Sequence, residues 1–380
     1  MTNGAFNRRT LLALAGLAFA PRALAQAGPL RLPMQIIKGK IFVDVTVAGR
    51  PMQAMVDSGS GFTGLHAGLA ADLGVEAKGR RFSLKHVYGG STGRIAEGVK
   101  LGVGGETVAW PMLVTDFSLL TASVLYPIQV VLGSDFLARY VAHFDFDAGV
   151  LELANPRTFA PPQAATFVPL QRLKEGGALV TAPILIEGAP AQALVDTGSQ
   201  TPLIVSASLA RRLKLLTGRP VSTGPLGGFG GVTTARIASL KSLSLAGQTF
   251  TDAPVRIAPA GANVAQPNLG LDILSRFNLW LDLAGLGLWA SPRGVSKPFE
   301  RNLTGFMGMA DGDDAIRVTF VASGGPAEAV GLKEGDVVAR INGQAANKAQ
   351  VALADAGPGT PLTLTLQDGR TMRIVLAAYY

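Results

Sequence analysis

The sequence predicts a mainly β protein of two similar lobes followed by a separate C-terminal module. Three observations predict it. The 380-residue chain is 48% hydrophobic and only 16% charged, with 47 Gly and 23 Pro, a balance that favours turn-rich strands over a helical bundle. Residues 31–293 repeat a single pattern twice, and a different pattern begins after them. The length also exceeds what one hydrophobic core fills, since single cores stop growing near about 250–300 residues.

The chain begins with Asn7-Arg8-Arg9-Thr10-Leu11-Leu12, an apolar run over Leu11–Ala20, and Ala23-Leu24-Ala25. Small residues at 23 and 25 suit a signal peptidase, so residues 1–25 read as a signal peptide. The paired arginines resemble the twin-arginine type. The run falls short of the about 20 apolar residues that cross a bilayer. The mature chain is expected to begin near Gln26 and to reside outside the cytoplasm, in the bacterial periplasm, with no integral membrane segment.

The net charge of +8 includes Arg8, Arg9 and Arg22 of this leader. No Lys/Arg run is interleaved with aromatics, so nucleic acid is not an expected partner. The absence of cysteine excludes disulfides, thiolate nucleophiles and Cys-ligated zinc. His66, His86 and His143 are too far apart to match a metal-ligand spacing and read as surface or packing residues. Neither a metal nor a cofactor is expected.

Each lobe starts with an alternating strand, Ile41–Val47 or Ala182–Ile186, and turns at Gly49 or Gly188. A second apolar strand then leads into Asp57-Ser58-Gly59-Ser60 or Asp196-Thr197-Gly198-Ser199. A short helix pattern follows, Leu69-Ala70 with Leu73 or Leu209-Ala210 with Leu213. Glycine-rich stretches come next, Tyr88-Gly89-Gly90-Ser91-Thr92-Gly93 and Gly227-Gly228-Phe229-Gly230-Gly231. Arg94-Ile95-Ala96 matches Arg236-Ile237-Ala238. Val131-Leu132-Gly133 matches Asn268-Leu269-Gly270. Lobe 1 is assigned to 31–154 and lobe 2 to 170–293, with the Pro-rich stretch 155–169 as linker.

The repeat points to paired carboxylates. Glycine allows a sharp turn after each Asp. An Asp directly after a buried strand is costly unless it is hydrogen-bonded or shares a proton. Two such loops facing across a two-fold axis bring Asp57 and Asp196 together, and close carboxylates hold one proton between them. The hydroxyls of Ser58 and Thr197 are placed to bond backbone from across that axis.

These residues resemble retropepsin-like and pepsin-like aspartic peptidases over roughly residues 31–292. Each lobe is about the size of a retropepsin subunit, so the chain resembles a retropepsin dimer fused into one polypeptide, two β-barrel lobes as a pseudo-dimer. The resemblance implies an aspartic endopeptidase. Water held between Asp57 and Asp196 attacks the scissile carbonyl, with one Asp as base and the other as acid. Ser58, Gly59, Ser60, Thr197, Gly198 and Ser199 form the supporting loops. Tyr88, Gly89, Gly90, Gly227, Gly228 and Phe229 belong to flaps that close over a polypeptide substrate. Ser58 departs from the commoner Thr, keeping the hydroxyl and losing a methyl.

Past residue 303, Gly305-Phe306-Met307-Gly308 precedes a strand over Ala315–Val321. Then come Pro326-Ala327, Gly331-Leu332, Gly335-Asp336 and Ile341-Asn342-Gly343. This string resembles bacterial PDZ domains and assigns 304–380 to one. The resemblance implies that Gly305, Phe306, Met307 and Gly308 offer backbone N–H groups to a peptide's C-terminal carboxylate, recruiting or gating protein substrates. Two shorter matches carry less. Gly89-Gly90-Ser91-Thr92-Gly93 fits a nucleophile elbow in spacing only, because its flanks read as a hairpin. Ser323-Gly324-Gly325-Pro326 has no His and Asp placed to complete a triad. The alternative function is a non-catalytic peptide-binding scaffold in the periplasm.

Overall fold

The computed structural model describes residues 28–380 except 86, 88, 175–176, 295–296 and 353–355. The leader read at 1–25, His86 and the flap residue Tyr88 lie outside the described residues. The fold is mainly β: two lobes built on one repeated pattern, followed by a separate C-terminal sheet.

Lobe 1 is a sheet in the order Gln35–Ile37, Lys40–Val47, Arg50–Val56, Val130–Leu132, Gly64–His66, Glu106–Thr115, Gly90–Val103 and Arg81–Lys85. Along Lys40–Val47 the buried Val43, Val45 and Val47 alternate with exposed Asp44 and half-buried Thr46, the period of a strand with one face on the core. Its turn into the next strand places Ala48 at φ 49° and Gly49 at φ 83°. Two successive left-handed residues make the tight hairpin turn that matches strand twist. Lobe 2 repeats it with Glu187 and Gly188 between Val180–Ile186 and Ala189–Val195.

In both lobes the strand leading to the Asp pairs parallel with the apolar-Gly segment. Val56 lies opposite Leu132, and Val195 opposite Leu269. Gly133 and Gly270 end these segments for a steric reason. A methyl at Gly133 would sit 2.4 Å from the Phe62 carbonyl carbon, and one at Gly270 2.1 Å from the Thr201 oxygen.

A six-stranded sheet joins the lobes, in the order Leu30–Pro33, Val150–Ala154, Val141–Asp145, Phe277–Asp282, Gly287–Pro292 and Thr166–Pro169. Its central pair is antiparallel and sets His143 opposite Trp280. These residues stand ten positions after Gly133 and Gly270 respectively, so the pseudo-two-fold axis passes between them. Thr166–Pro169 falls inside the stretch read as linker, yet it is the edge strand of this seam. Its short alternation was masked by the surrounding prolines. One continuous core runs through both lobes and the seam, including Phe136, Phe144, Phe277, Leu279 and Leu281.

The C-terminal sheet runs Phe306–Asp311, Ala315–Val321, Val337–Ile341, Pro361–Leu366 and Thr371–Val375, over its own core of Phe306, Ile316, Val338, Leu364 and Ile374. It docks on lobe 2. Ser222 Oγ donates to Ser323 O at 2.6 Å, and Ser323 N donates to Thr223 Oγ1 at 3.1 Å. Arg301 donates to Asp252 O at 2.7 Å, and the Arg276 guanidinium lies 3.9 Å over the Phe299 ring.

Candidate active site

Asp57 and Asp196 follow directly on the buried ends of their strands. Their backbone N–H groups donate to Leu132 O and Leu269 O, both at 3.0 Å, which fixes where each side chain leaves the sheet. Each carboxylate then accepts from the glycine two residues on: Gly59 N to Asp57 Oδ1 and Gly198 N to Asp196 Oδ1, both at 2.9 Å.

The two loops lock together through hydroxyls. Ser58 N donates to Thr197 Oγ1 and Thr197 N to Ser58 Oγ, both at 3.0 Å. Ser58 Oγ donates to Val195 O at 2.7 Å, and Thr197 Oγ1 to Val56 O at 3.0 Å. Both side chains are fully buried, so every one of these groups depends on the opposite lobe. Ser58 makes the same pair of bonds as Thr197 without the methyl. Ser60 and Ser199 close the loops behind the dyad. Their amides donate to Asp57 O and Asp196 O, while their carbonyls accept from Ser134 N and Leu271 N.

The loops approach so closely that only glycine fits. A methyl on Gly59 would lie 2.4 Å from Asp196 Cγ, and one on Gly198 would lie 2.3 Å from Asp57 Cγ. Each carboxylate therefore rests on the opposite loop's glycine, and the two acids share one site in which Asp57 is buried and Asp196 half-buried. Burial, and then the neighbouring Asp196 charge, push the Asp57 carboxyl up to about 8, against the opposing pull of the Lys40 ammonium. One neutral carboxyl beside one ionised carboxylate is the arrangement that a water-activating pair needs.

Three residues near the dyad escaped the sequence reading. Lys40 Nζ donates to Gly198 O at 2.5 Å, and burial holds its ammonium below the usual lysine range. It follows a Lys38-Gly39 turn with φ of 50° and 67°, where a lysine reads as an exposed hairpin residue. Asn268 Nδ2 donates to Asp196 Oδ2 at 2.5 Å. Its signal was present in the mismatch between Asn268-Leu269-Gly270 and Val131-Leu132-Gly133. Asp135, just past Gly133, accepts from Thr63 Oγ1 at 2.8 Å and ties two segments under the lobe 1 loop.

The glycine-rich stretches form hairpins. In lobe 2, Ser222–Gly228 pairs with Gly231–Ser239, and Gly227 and Gly228 lie at the tip. In lobe 1, Arg81–Lys85 pairs with Gly90–Val103, with Gly89 at the tip in a left-handed conformation. The strand beginning at Gly90 excludes the strand-then-helix context of a nucleophile elbow. The two tips meet: a methyl on Gly89 would lie 3.2 Å from Gly230 O. Each tip also reaches the other lobe. Phe229 packs edge-on to Phe117 of lobe 1 at 5.5 Å, beside Phe42, Met55, Leu120, Ile128 and Val131. Val87 accepts from Asn263 N at 2.9 Å and packs beside Ile204, Leu226 and Val264 of lobe 2.

The Gly305–Gly308 loop lies apart from the dyad. Gly305 has φ 77° and a methyl there would lie 3.0 Å from Pro326. Two of its amides are already engaged, Gly305 N by Asn302 Oδ1 at 3.0 Å and Phe306 N by Thr304 Oγ1 at 3.2 Å. Phe306–Asp311 is an edge strand carrying the exposed Met307 and Met309, with Gly308 at a register shift between them.

Comparison with known proteins finds a family model described as aspartyl protease at residues 43–136 and 182–273, and a PDZ domain model at 295–367. Among solved structures, the crystal structure of a retropepsin-like aspartic protease from Rickettsia conorii is 18% identical with a TM-score of 0.27, covering 35% of this chain and 96% of that chain. No curated protein matches the chain.

Proposed function

We propose that this chain, built of two aspartyl-protease repeats ahead of a PDZ domain, is an exported endopeptidase that hydrolyses peptide bonds with water activated by Asp57 and Asp196. The observation that carries the reading is the reciprocal lock of Ser58 and Thr197, which presses two carboxylates against each other's loops in one site. In this reading the ionised carboxylate takes a proton from water as its oxygen attacks the scissile carbonyl carbon. The protonated carboxyl gives its proton to the carbonyl oxygen. The tetrahedral diol then collapses, the C–N bond breaks, and the amine leaves with a proton returned from the dyad. The flap hairpins hold the extended peptide and exclude bulk water.

The PDZ domain recruits or gates protein substrates by adding a peptide C-terminus to the Phe306–Asp311 edge, its carboxylate competing with Asn302 and Thr304 for the loop amides. The docking at Ser222 and Thr223, the root of the lobe 2 flap, supports gating. The arginine-paired leader supports export to the periplasm.

The test is digestion of an unfolded protein from acidic to neutral pH, with fragments identified by mass spectrometry. The reading expects internal cuts, with oxygen from labelled water in each new carboxylate. Binding of the polypeptide with no cut at any pH would identify a scaffold instead.

A further inference from the structure

The two catalytic loops are alike in backbone and unlike in their surroundings. Where lobe 1 has Val131, lobe 2 has Asn268. Asn268 is 8% exposed, and its Nδ2 donates to Asp196 Oδ2 at 2.5 Å while Gly198 N donates to Asp196 Oδ1 at 2.9 Å. Both oxygens of Asp196 therefore accept hydrogen bonds from N–H donors. Asp57 accepts one bond of this kind, from Gly59 N, and its other side-chain bond is to Asp196 itself. An N–H donor on each oxygen favours the charged form of a carboxylate, and charge-assisted bonds of this type are the strong ones. The Asn268 Oδ1 atom is buried without a partner, a cost accepted for the sake of the Nδ2 contact.

The second asymmetry is Lys40. It stands seventeen residues before Asp57, where lobe 2 has Leu179 before Asp196. Its ammonium reaches across the lobe boundary to Gly198 O, on the loop of Asp196. The charged groups acting on Lys40 are Asp196 and then Asp57, and those acting on Asp57 are Asp196 and Lys40. A buried ammonium needs a counter-charge. A dyad with one proton carries one negative charge, so Lys40 and the dyad together are neutral.

We propose that Asn268 and Lys40 polarise the dyad, holding Asp196 as the carboxylate that takes the proton of water and leaving Asp57 as the protonated acid. The two are positioning residues, acting through the aspartates. The catalytic roles rest on the peptidase reading; the location of the proton does not, and the experiment uses that distinction. The carboxyl carbons of the full-length protein are followed by 13C NMR through a pH titration without substrate, with Asp57→Asn and Asp196→Asn assigning the two signals. Near neutrality Asp57 is expected to report a protonated carboxyl and Asp196 a carboxylate. Asn268→Val, which restores the lobe 1 residue, is expected to move both signals towards equal sharing. Lys40→Met is expected to make the pair take up its second proton about one pH unit higher, a tenfold change in affinity. Lys40→Arg is expected to restore the original titration. A protonated Asp196 beside an ionised Asp57, or signals unmoved in both Asn268→Val and Lys40→Met, would overturn the proposal. If the protein cuts no peptide, the peptidase reading fails while the titration still decides where the proton lies.

Discussion

His143 and Trp280 stack across the lobe seam with ring centroids 4.1 Å apart and planes within 7°. His143 also meets Glu152 at 2.9 Å on the adjacent strand. The pair sits on the axis that relates the lobes, so it ties the halves together at the end of the molecule formed by the seam sheet. Trp280→Ala is expected to cost about 1–3 kcal/mol, combining lost burial with lost stacking. The check is a urea midpoint shift, with the limbs of the activity–pH profile unmoved.

Ser58→Ala leaves the Thr197 N–H and Val195 C=O without their partner in a fully buried place. Each unsatisfied group costs about 1–3 kcal/mol. Stability is expected to fall by about 2–5 kcal/mol on the same scale, and activity to fall further because both carboxylates shift. Ser58→Thr keeps the hydroxyl and is the control. Denaturant melts and cleavage rates measured on the same samples check both statements.

The Asp57 carboxyl gives stability a pH dependence of defined sign. Its ordinary value is 3.8 and the folded value is about 8, so the folded protein holds this proton more tightly than the unfolded chain. The resulting stability is fully present below about pH 4 and is lost as pH rises through about 8. The melting temperature should therefore carry a downward component from Asp57 across this window. Asp57→Asn should flatten that component and leave the protein at pH 8 at least as stable as wild type. A series of melts from pH 4 to 9 on both proteins measures it.

Phe229 anchors the lobe 2 flap to the apolar wall of lobe 1. Phe229→Ala is expected to raise KM several-fold and to speed amide exchange over 222–239, because the tip loses its apolar seat. Hydrogen exchange with mass spectrometry detects the second effect without a substrate. An inhibitor that closes the flap should slow the same amides in wild type.

Much of the architecture was legible because the chain states it twice. Asp57 and Asp196, each followed by Ser or Thr and Gly, are legible as a pair in the sequence itself. Their loops required facing partners, and Ser58 and Thr197 provide them. What the repeat could not convey is where the copies differ in three dimensions. Lys40 has no counterpart in the second copy, where Leu179 stands, and the packing of the Lys38-Gly39 hairpin against Gln200 carries it to Gly198. Asn268 stands where lobe 1 has Val131, and the parallel pairing of Leu194 with Asn268 sets its side chain beside Asp196. The strand Thr166–Pro169 was hidden by prolines, because its partner Gly287–Pro292 lies more than a hundred residues away. The docking of Ser323 on Ser222 has no local signature, since two serines are ordinary surface residues until folding opposes them.

The most direct test of the central claim compares wild type with Asp57→Asn and Asp196→Asn on one unfolded protein substrate from pH 4 to 8, with circular dichroism confirming that all three fold. Wild type is expected to cleave, and each single variant to lose at least about a thousandfold, since one shared proton needs both carboxylates. Undiminished cleavage by either variant, or its absence in all three, would contradict it.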